Sequence, residues 1–146
     1  MTIVKFYDID YNPPVKLTYS VIAGRYKEKW IYVRHHKRTT LEIAGGHIEP
    51  GESADEAAVR EFREETGAND FAIICLATYS VEKDGLTGYG RFYFAQVESF
   101  GSIPDMSEVA DVTVQDYLPE NLTHPDIQPH LFKLAEEYLN RTKKDF

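Results

Sequence analysis

The sequence predicts an α/β fold in which a mixed β-sheet is sandwiched by two helices. Several runs rich in β-branched and aromatic residues are separated by turn-forming segments such as Asn12-Pro13-Pro14, which is typical of strands. Residues 53–66 carry helix start and stop signals, and residues 125–142 carry apolar residues at the spacing of an amphipathic helix. The chain has 146 residues, 42% of them hydrophobic, which favours one domain over residues 1–146 with a substantial core.

The strand pattern recurs along most of the chain. The predicted strands cover residues 3–7, 15–23, 30–34, 41–44, 72–81, 88–97 and 109–117. The two consecutive strands 72–81 and 88–97 are expected to form a hairpin through Lys83-Asp84-Gly85, because an Asp-Gly pair suits a tight turn. Residues 34–38 and 98–108 are expected to be loops.

The first predicted helix carries a start signal and a stop signal. Ser53 stands at the N-cap position, and Glu56 three residues later completes the capping-box pattern. Gly67 stands where a left-handed glycine ends a helix. The second helix is predicted from apolar residues at helical spacing, namely Ile127, Leu131, Leu134, Ala135 and Leu139.

Three glutamates in the last turns of the first helix share one face. Glu61, Glu64 and Glu65 fall within about 100° of one another on a helical wheel. Carboxylates this close repel unless a cation lies between them, and oxygen ligands suit Mg²⁺, Mn²⁺ or Ca²⁺ better than Zn²⁺. Ala57 and Ala58 allow the same face to lie close to the rest of the molecule, in a cleft. The alternative is a solvated acidic face whose glutamates pair with arginines of the same helix.

A glycine-rich loop precedes this helix at a distinctive spacing. From Gly46 the chain reads Gly, five residues, Glu52, seven residues, then Arg60-Glu-apolar-any-Glu-Glu-any-Gly67. This pattern resembles the Nudix box, here residues 46–68, and identifies the chain as similar to the Nudix hydrolases. Two positions depart from the family pattern: Ala68 stands where a larger aliphatic residue is usual, and Ala44 replaces a frequent proline in the lead-in.

The resemblance implies a Nudix-type α/β/α sandwich with a mixed β-sheet and a metal-dependent site. It implies that Glu61, Glu64 and Glu65 hold Mg²⁺ or Mn²⁺, with a backbone carbonyl near Gly45 or Gly46 completing the ligand shell. One of the glutamates could instead orient or deprotonate the attacking water, and the spacing leaves that assignment open. Glu52 and Arg60 are expected to form a supporting carboxylate–guanidinium pair that ties the loop to the helix.

Nudix proteins often use a further acidic ligand or base from outside the box. The candidates are, in order of preference, Glu108, Asp111 and Glu98. The alternative for each is an ordinary solvated acid.

Substrate contacts are predicted on three segments outside the helix. Arg34, at the end of a strand and the start of the basic run 34–38, is the candidate for binding phosphate; the alternative is a solvated basic loop. The backbone at Gly45 is the second candidate. The adjacent His35 and His36 are poor metal ligands, because neighbouring residues of a strand point to opposite faces. Base recognition is expected from the segment before the last helix, through Asn121, Thr123 or His124.

Composition excludes several classes of partner. The net charge of −8 argues against nonspecific binding to nucleic acid. No apolar run approaches the roughly 18 residues that span a bilayer, so no membrane association is expected. The single cysteine, Cys75, rules out an internal disulfide and fits the cytoplasm; it lies in an apolar run as a small hydrophobe. A homodimer is possible, although no pattern in the sequence demonstrates it.

The sequence therefore predicts an enzyme that hydrolyses a nucleoside diphosphate linked to another group. The lead-in and the compact length resemble MutT-like nucleoside triphosphatases, which release a monophosphate and pyrophosphate. One alternative is a pyrophosphatase for ADP-ribose, nucleotide sugars or dinucleoside polyphosphates. The other is a catalytically silent domain that binds a nucleotide as a sensor, against which the intact set of box glutamates argues.

Overall fold

The computed structural model describes residues 1–103 and 107–144, which form a seven-stranded mixed sheet and two helices. The strands are β1 (Ile3–Tyr7), β2 (Tyr19–Tyr26), β3 (Lys29–His35), β4 (Ala44–His47), β5 (Ala68–Lys83), β6 (Leu86–Phe100) and β7 (Val109–Gln115). The helices are α1 (Ala54–Thr66) and α2 (Gln128–Lys144). The predicted α/β class is confirmed. In this part of the chain, no helix is long and apolar enough to cross a membrane.

Strand β2 pairs with two different strands along one of its edges. The strand order is β1-β5-β6-β2-β3-β7, with β2 parallel to β6 and the other pairs antiparallel. The first half of β2 pairs with β4, where Ser20 lies opposite Gly46, whereas its last residues pair with β3, where Gly24 lies opposite Ile31. Two strands therefore share one edge of β2 and diverge from it.

Each face of the sheet carries its own core. On one face Phe62 of α1 is fully buried, and it lies so close to β2 that a Cβ on Gly24 would stand 2.7 Å from its ring. On the other face Leu131 and Ala135 of α2 are buried against aromatic residues of the sheet, and Trp30 meets Phe132 edge-on at 4.8 Å. The sheet thus separates the two helices, as the apolar spacing predicted.

The predicted hairpin is confirmed, but its strands are longer than the sequence suggested. β5 begins at Ala68, directly after the cap of α1, and Ala68 lies opposite Phe100. Residues 98–100, predicted as loop, are therefore strand. Register shifts between Ala68 and Phe71 allow β5 to stay paired with β6 in this segment. Pairing with β6 therefore extends β5 beyond the residues whose apolar pattern predicts a strand.

Three further boundaries differ from the prediction. β2 begins at Tyr19 rather than at residue 15. The predicted strand 41–44 is replaced by isolated bridges at Leu41 and Glu42, followed by β4, because the glycines of the loop pair with β2. Helix α2 begins at Gln128, since the N–H groups of residues 127 and 128 are taken by the His124 carbonyl in a preceding turn.

Candidate functional site

Helix α1 has the ends that its sequence predicts. The Glu56 N–H donates to the Ser53 hydroxyl and the Ser53 N–H donates to the Glu56 carboxylate, both at 3.0 Å, which completes the capping box. Gly67 ends the helix with φ of 75°, in the left-handed region. Ala57 and Ala58 are fully buried, so this face of the helix is packed against the sheet as expected.

The glycine loop is pressed onto the glutamate face of α1. A Cβ at Gly46 would stand 2.5 Å from the carboxyl carbon of Glu61, so any side chain at residue 46 would displace that carboxylate. The Gly45 N–H donates to Oε1 of Glu65 at 2.8 Å, and Glu65 is buried. Strand β4 therefore brings its backbone directly against two of the three predicted metal ligands.

Arg60 ties the loop to the helix through a dense set of hydrogen bonds. Its Nε and Nη2 donate to the two carboxylate oxygens of Glu52 at 2.7 and 2.9 Å. Nη2 also donates to the His47 carbonyl at 3.1 Å, and Nη1 lies 2.8 Å from Glu61 and 3.4 Å from Glu64. The guanidinium bond lowers the pKa of Glu52 to about 2. The predicted carboxylate–guanidinium pair thus forms in a bidentate arrangement.

The site contains more carboxylates than the single guanidinium of Arg60 can neutralise. Burial raises the pKa of Glu65 to about 8, and the charges of Glu61, Glu42 and Glu108 act in the same direction. Burial also raises the pKa of Glu61. A divalent cation would offset both effects, and the all-oxygen donor set together with the backbone cradle at Gly46 fits Mg²⁺ or Mn²⁺. Within residues 1–103 and 107–144, however, no three His, Cys, Asp or Glu side chains converge as a ready-made metal site.

Three further side chains, those of His35, Arg38 and Glu42, lie beside the glutamates of α1. His35 Nε2 lies 2.8 Å from Glu42 Oε1 and 3.2 Å from Glu65 Oε2, although neither contact has hydrogen-bonding angles. Arg38 Nη1 donates to Glu42 Oε2 at 3.0 Å. Glu42 is almost completely buried, so it links the loop after β3 to the acidic face of α1.

A cavity of about 960 Å³ is lined by both sets of side chains. Its charged lining residues include Arg60, Glu61, Glu64, Glu65, His35, Arg38 and Glu42. The same cavity is also lined by the apolar or aromatic residues Val21, Tyr79, Val81, Leu86, Ile127 and Leu131. A lining with both kinds of residue suits a ligand that has a charged part and an organic ring.

Residues 16–134 match the family model described as the NUDIX domain. The chain belongs to the Nudix family. Within it, a Bacillus subtilis (strain 168) protein named "Putative 8-oxo-dGTP diphosphatase YtkD" is 36% identical over 102 residues, which are 70% of this chain and 64% of that protein. A second protein of the same strain, named "Putative 8-oxo-dGTP diphosphatase", is 40% identical over 93 residues, 64% of this chain and 57% of its own length. The chain thus spans less than two thirds of either relative.

The Nudix fold is also found in solved structures. A crystal structure of a mutant of the Bacillus subtilis pyrophosphohydrolase BsRppH superposes with a TM-score of 0.75 at 28% identity, covering 92% of this chain and 90% of that one. A UDP-X diphosphatase structure superposes with a TM-score of 0.68 at 21% identity, covering 88% and 66%. The second likeness concerns the fold alone.

Among the acids predicted outside the Nudix box, only Glu108 lies at the cavity. Its carboxylate is largely exposed and stands 3.8 Å from His35 Nδ1. Asp111 is instead paired with Arg34, whose Nη2 lies 2.6 Å from Oδ2. Glu98 is an exposed residue of β6 and does not line the cavity.

Arg34 supports the loop after β3 and does not line the cavity. Besides pairing with Asp111, its Nη1 donates to the Arg38 carbonyl at 3.0 Å. Arg38, four residues later, does line the cavity, and its guanidinium is about half exposed. Phosphate binding by Arg34 therefore stays a prediction, and Arg38 is a second candidate. The basic run 34–38 pointed to both, but local sequence could not distinguish them.

The segment before α2 contributes to the cavity differently from the prediction. Asn121 Nδ2 donates to the Thr39 carbonyl at 3.3 Å, and the Thr123 hydroxyl bonds to Thr40 at 2.7 Å. Neither Asn121 nor Thr123 lines the cavity, whereas His124 does. Gln128, which sequence reasoning missed, lines it as well; a single glutamine at a helix start carries no recognisable signal.

Proposed function

We propose that this Nudix protein hydrolyses a nucleoside triphosphate to a nucleoside monophosphate and pyrophosphate, using Mg²⁺ or Mn²⁺. The observation that carries the proposal is an intact Nudix box whose glutamates line a cavity that also has apolar and aromatic lining residues. The names of the two Bacillus subtilis relatives, and the pyrophosphohydrolase name of the structural relative, support the same reaction class.

The metal would be held by Glu61, Glu64 and Glu65, with the Gly46 carbonyl and Glu108 as further ligands. When bound, it neutralises phosphate charge and polarises the attacking water. Glu65 is positioned for this role by the Gly45 N–H, and Glu61 by the close approach of Gly46. The carboxylate that takes the proton of water is one of the same glutamates.

Two side chains prepare the site without touching the reacting atoms. Arg60 holds Glu52 and Glu61 together and so fixes the loop on the helix. His35 lies between Glu42 and Glu65, with a buried Nε2 that lacks a hydrogen-bond partner among the described residues. The phosphates would be within reach of Arg38, because this half-exposed side chain lines the same cavity as the glutamates.

We also propose a small-molecule nucleotide as the ligand and the cytoplasm as the compartment. The net charge of −8 disfavours nonspecific binding to nucleic acid, because the phosphate backbone of a nucleic acid is itself negatively charged. A single cysteine fits a reducing environment.

The decisive experiment measures release of phosphate and pyrophosphate from a nucleotide panel, with Mg²⁺ present or removed by a chelator. The panel contains nucleoside triphosphates, ADP-ribose, a nucleotide sugar and a dinucleoside polyphosphate. We expect pyrophosphate from triphosphates, no turnover in chelator, and recovery with millimolar-range metal.

Each other outcome points to a named alternative. Cleavage confined to ADP-ribose, nucleotide sugars or dinucleoside polyphosphates would replace the triphosphate proposal with the other pyrophosphatase class. Tight nucleotide binding without turnover would make the protein a sensor. Full activity after exhaustive chelation would contradict the metal-dependent mechanism.

A further inference from the structure

One stretch of β5 has an edge with no neighbouring strand. β5 lies between β1 and β6, but β1 pairs only with the residues from Thr78 to Glu82. The earlier part of β5 pairs with β6 on one side alone. In the described part of the chain, no backbone hydrogen bond reaches residues 71–77 from the other side. The N–H and C=O groups on this edge are therefore available to another strand.

The side chains along this open edge are apolar. Residues 71–77 are all hydrophobic and carry no charge. Ile73 and Cys75 pack on the core beneath α1. Since side chains alternate along a strand, Ala72 and Ile74 point to the opposite face, where both are exposed and Ile74 is 47% exposed. A row of apolar side chains thus accompanies the unpaired backbone.

The two outermost strands of the sheet differ from this stretch in their charge. β1 has only five residues and exposes Lys5 at its centre, and β7 exposes Asp111. Short edge strands and exposed charges are common protections against pairing with another chain. Residues 71–77 have neither protection, which indicates that pairing at this edge is used by the protein.

We propose that residues 71–75 pair antiparallel with the same residues of a second copy of this chain, which gives a two-fold symmetric dimer with one continuous sheet. The register between β5 and β6 is regular from Phe71 to Cys75 and shifts on either side, so these residues are the regular part of the edge. A two-fold axis at Ile73 brings the stretch against itself, and such a contact closes at two copies. The inference does not depend on the proposed function, because this stretch does not line the cavity.

The antiparallel arrangement is self-complementary in side-chain size and in charge. On the exposed face it sets the larger Ile74 of one copy opposite the smaller Ala72 of the other. Asp70, the nearest acidic residue, falls opposite Leu76 of the other copy and not opposite a second Asp70. This placement matters because each chain carries a net charge of −8, so two copies associate best where acidic groups do not meet.

A ladder of this length makes a small interface. Stable interfaces commonly bury about 1,200–2,000 Å² in total, and smaller contacts are weak or transient. A short stretch from each copy, with the side chains around it, lies at or below the lower limit. We therefore expect a dimer that dissociates on dilution, with a dissociation constant in the micromolar to millimolar range.

The first test is sedimentation velocity of the unmodified protein from roughly 1 µM to 1 mM, with amide hydrogen exchange at both ends of this range. We expect sedimentation to shift from monomer towards dimer as concentration rises. The amides of residues 71–77 that face the open edge should exchange on the order of 10-fold more slowly at the higher concentration.

Three results of this test would overturn the inference. One is a monomer at every concentration. Another is a dimer whose newly protected amides lie outside residues 71–77. The third is protection of the open edge that does not depend on concentration, because another part of the same chain would then cover it.

The second test places a charge on the exposed face of the edge. Ile74→Lys puts two ammonium groups at diagonal positions across the axis, and it should weaken dimerisation on the order of 10-fold or more. Val114→Lys is the matched control, because it introduces the same charge at an exposed position of β7 and should leave the dimer unchanged. Both variants reduce the net negative charge equally, so overall repulsion cannot explain a difference between them.

A mixture of Ile74→Lys and Ile74→Glu tests the symmetry of the contact. Opposite charges at the diagonal positions should restore association between the two variants, whereas Ile74→Glu alone should stay monomeric. Failure of the mixture to associate, or an unchanged dimer in folded Ile74→Lys, would overturn the pairing. Melting curves establish whether the variants are folded. If they are not, the concentration dependence and exchange pattern of the unmodified protein decide the question.

Discussion

The two walls of the cavity are built in different ways. The wall formed by the glycine loop and α1, residues 45–67, is held together by contacts between residues close in the chain, such as Glu52 with Arg60, eight residues apart. The opposite wall depends on distant pairs: Gln128 bonds to Ile43 across 85 positions, and Thr123 to Thr40 across 83. The first wall carries the Nudix-box glutamates, whereas the second combines the charged side chains of His35, Arg38 and Glu42 with apolar residues.

The two walls differ because their functional groups need different numbers of structural elements to bring them together. Neutralising phosphate charge requires several carboxylates at fixed spacing, which one helix can supply. Recognising a base requires an enclosed apolar surface with a few oriented polar groups, which only separate elements can enclose. We therefore expect variants of the α1 wall to change turnover and variants of the opposite wall to change substrate affinity.

The largest effect is expected at the proposed metal ligands. Glu64→Gln and Glu65→Gln should each lower kcat on the order of 10²-fold or more, because each removes charge that stabilises the transition state. Without metal, thermal stability should hold or rise, since like-charge repulsion in the cluster is relieved and burial disfavours the ionised carboxylate of Glu65. Glu137→Gln, on the exposed side of α2, is the control for a lost charge. Near-normal kcat in both site variants would mean that this helix face is only solvated.

Arg60→Ala should lower both activity and stability. It leaves Glu52 and Glu61 without their shared partner and frees the loop from the helix, so its unfolding free energy should fall by more than that of a surface arginine variant. Arg63→Ala is the matched control, because it removes an arginine from the same helix that does not line the cavity. The Arg63 guanidinium lies over the Phe71 ring at 5.3 Å, and losing this contact should cost about 0.5–1 kcal/mol. Denaturant unfolding and steady-state kinetics measure both. Equal unfolding free energies for the two variants would contradict the role assigned to Arg60.

On the opposite wall, Arg38→Ala should raise KM roughly 10-fold with little change in kcat, as expected when a charge-assisted hydrogen bond to substrate is lost. Arg34→Ala should raise KM less, because its guanidinium is engaged with Asp111 and the carbonyl of Arg38. Steady-state kinetics on the same triphosphate compares the two. A larger KM effect for Arg34→Ala would restore the sequence-based prediction that Arg34 contacts phosphate.

The smallest effect is a pH dependence of stability at the Glu52–Arg60 pair. The pKa of Glu52 is about 2 in the folded protein, below its unfolded value of about 4.3. A lowered folded pKa contributes stability above the unfolded value, and this contribution is lost as pH falls from about 5 to 2. The Tm difference between the parent and Glu52→Gln should therefore shrink over that range. A difference that stays constant would show that charge at residue 52 is not what stabilises the loop.

The α1 wall was largely predictable because its signals are local. The capping box at Ser53 and the glycine at Gly67 predicted helix bounds that the structure reproduces to within one residue. The spacing of Glu52 and Arg60 predicted their pairing, which the structure confirms. Helix geometry relates residues a few positions apart, so their mutual placement follows from the sequence once the helix is recognised.

The positions of the strands were less predictable. Gly45 and Gly46 have weak strand propensity, yet they belong to β4 because β2 pairs with them. Asp111 was predicted as a metal ligand or base, but the register of β3 and β7 places it opposite Arg34. A strand side chain can find its partner only when the neighbouring strand is known, and that neighbour can lie anywhere in the chain.

The family and the acidic face of α1 could be predicted from residues within a few helical turns, and the fold class from a strand pattern that recurs along the chain. Which arginine of the run 34–38 lines the cavity, and that Gln128 lines it while bonding to Ile43, is visible only in the folded chain. These outcomes depend on side-chain contacts between distant segments, such as Arg34 with Asp111 and the Gln128 side chain with the Ile43 N–H. Such contacts are set by sheet register and helix packing, which no local pattern of residue types encodes.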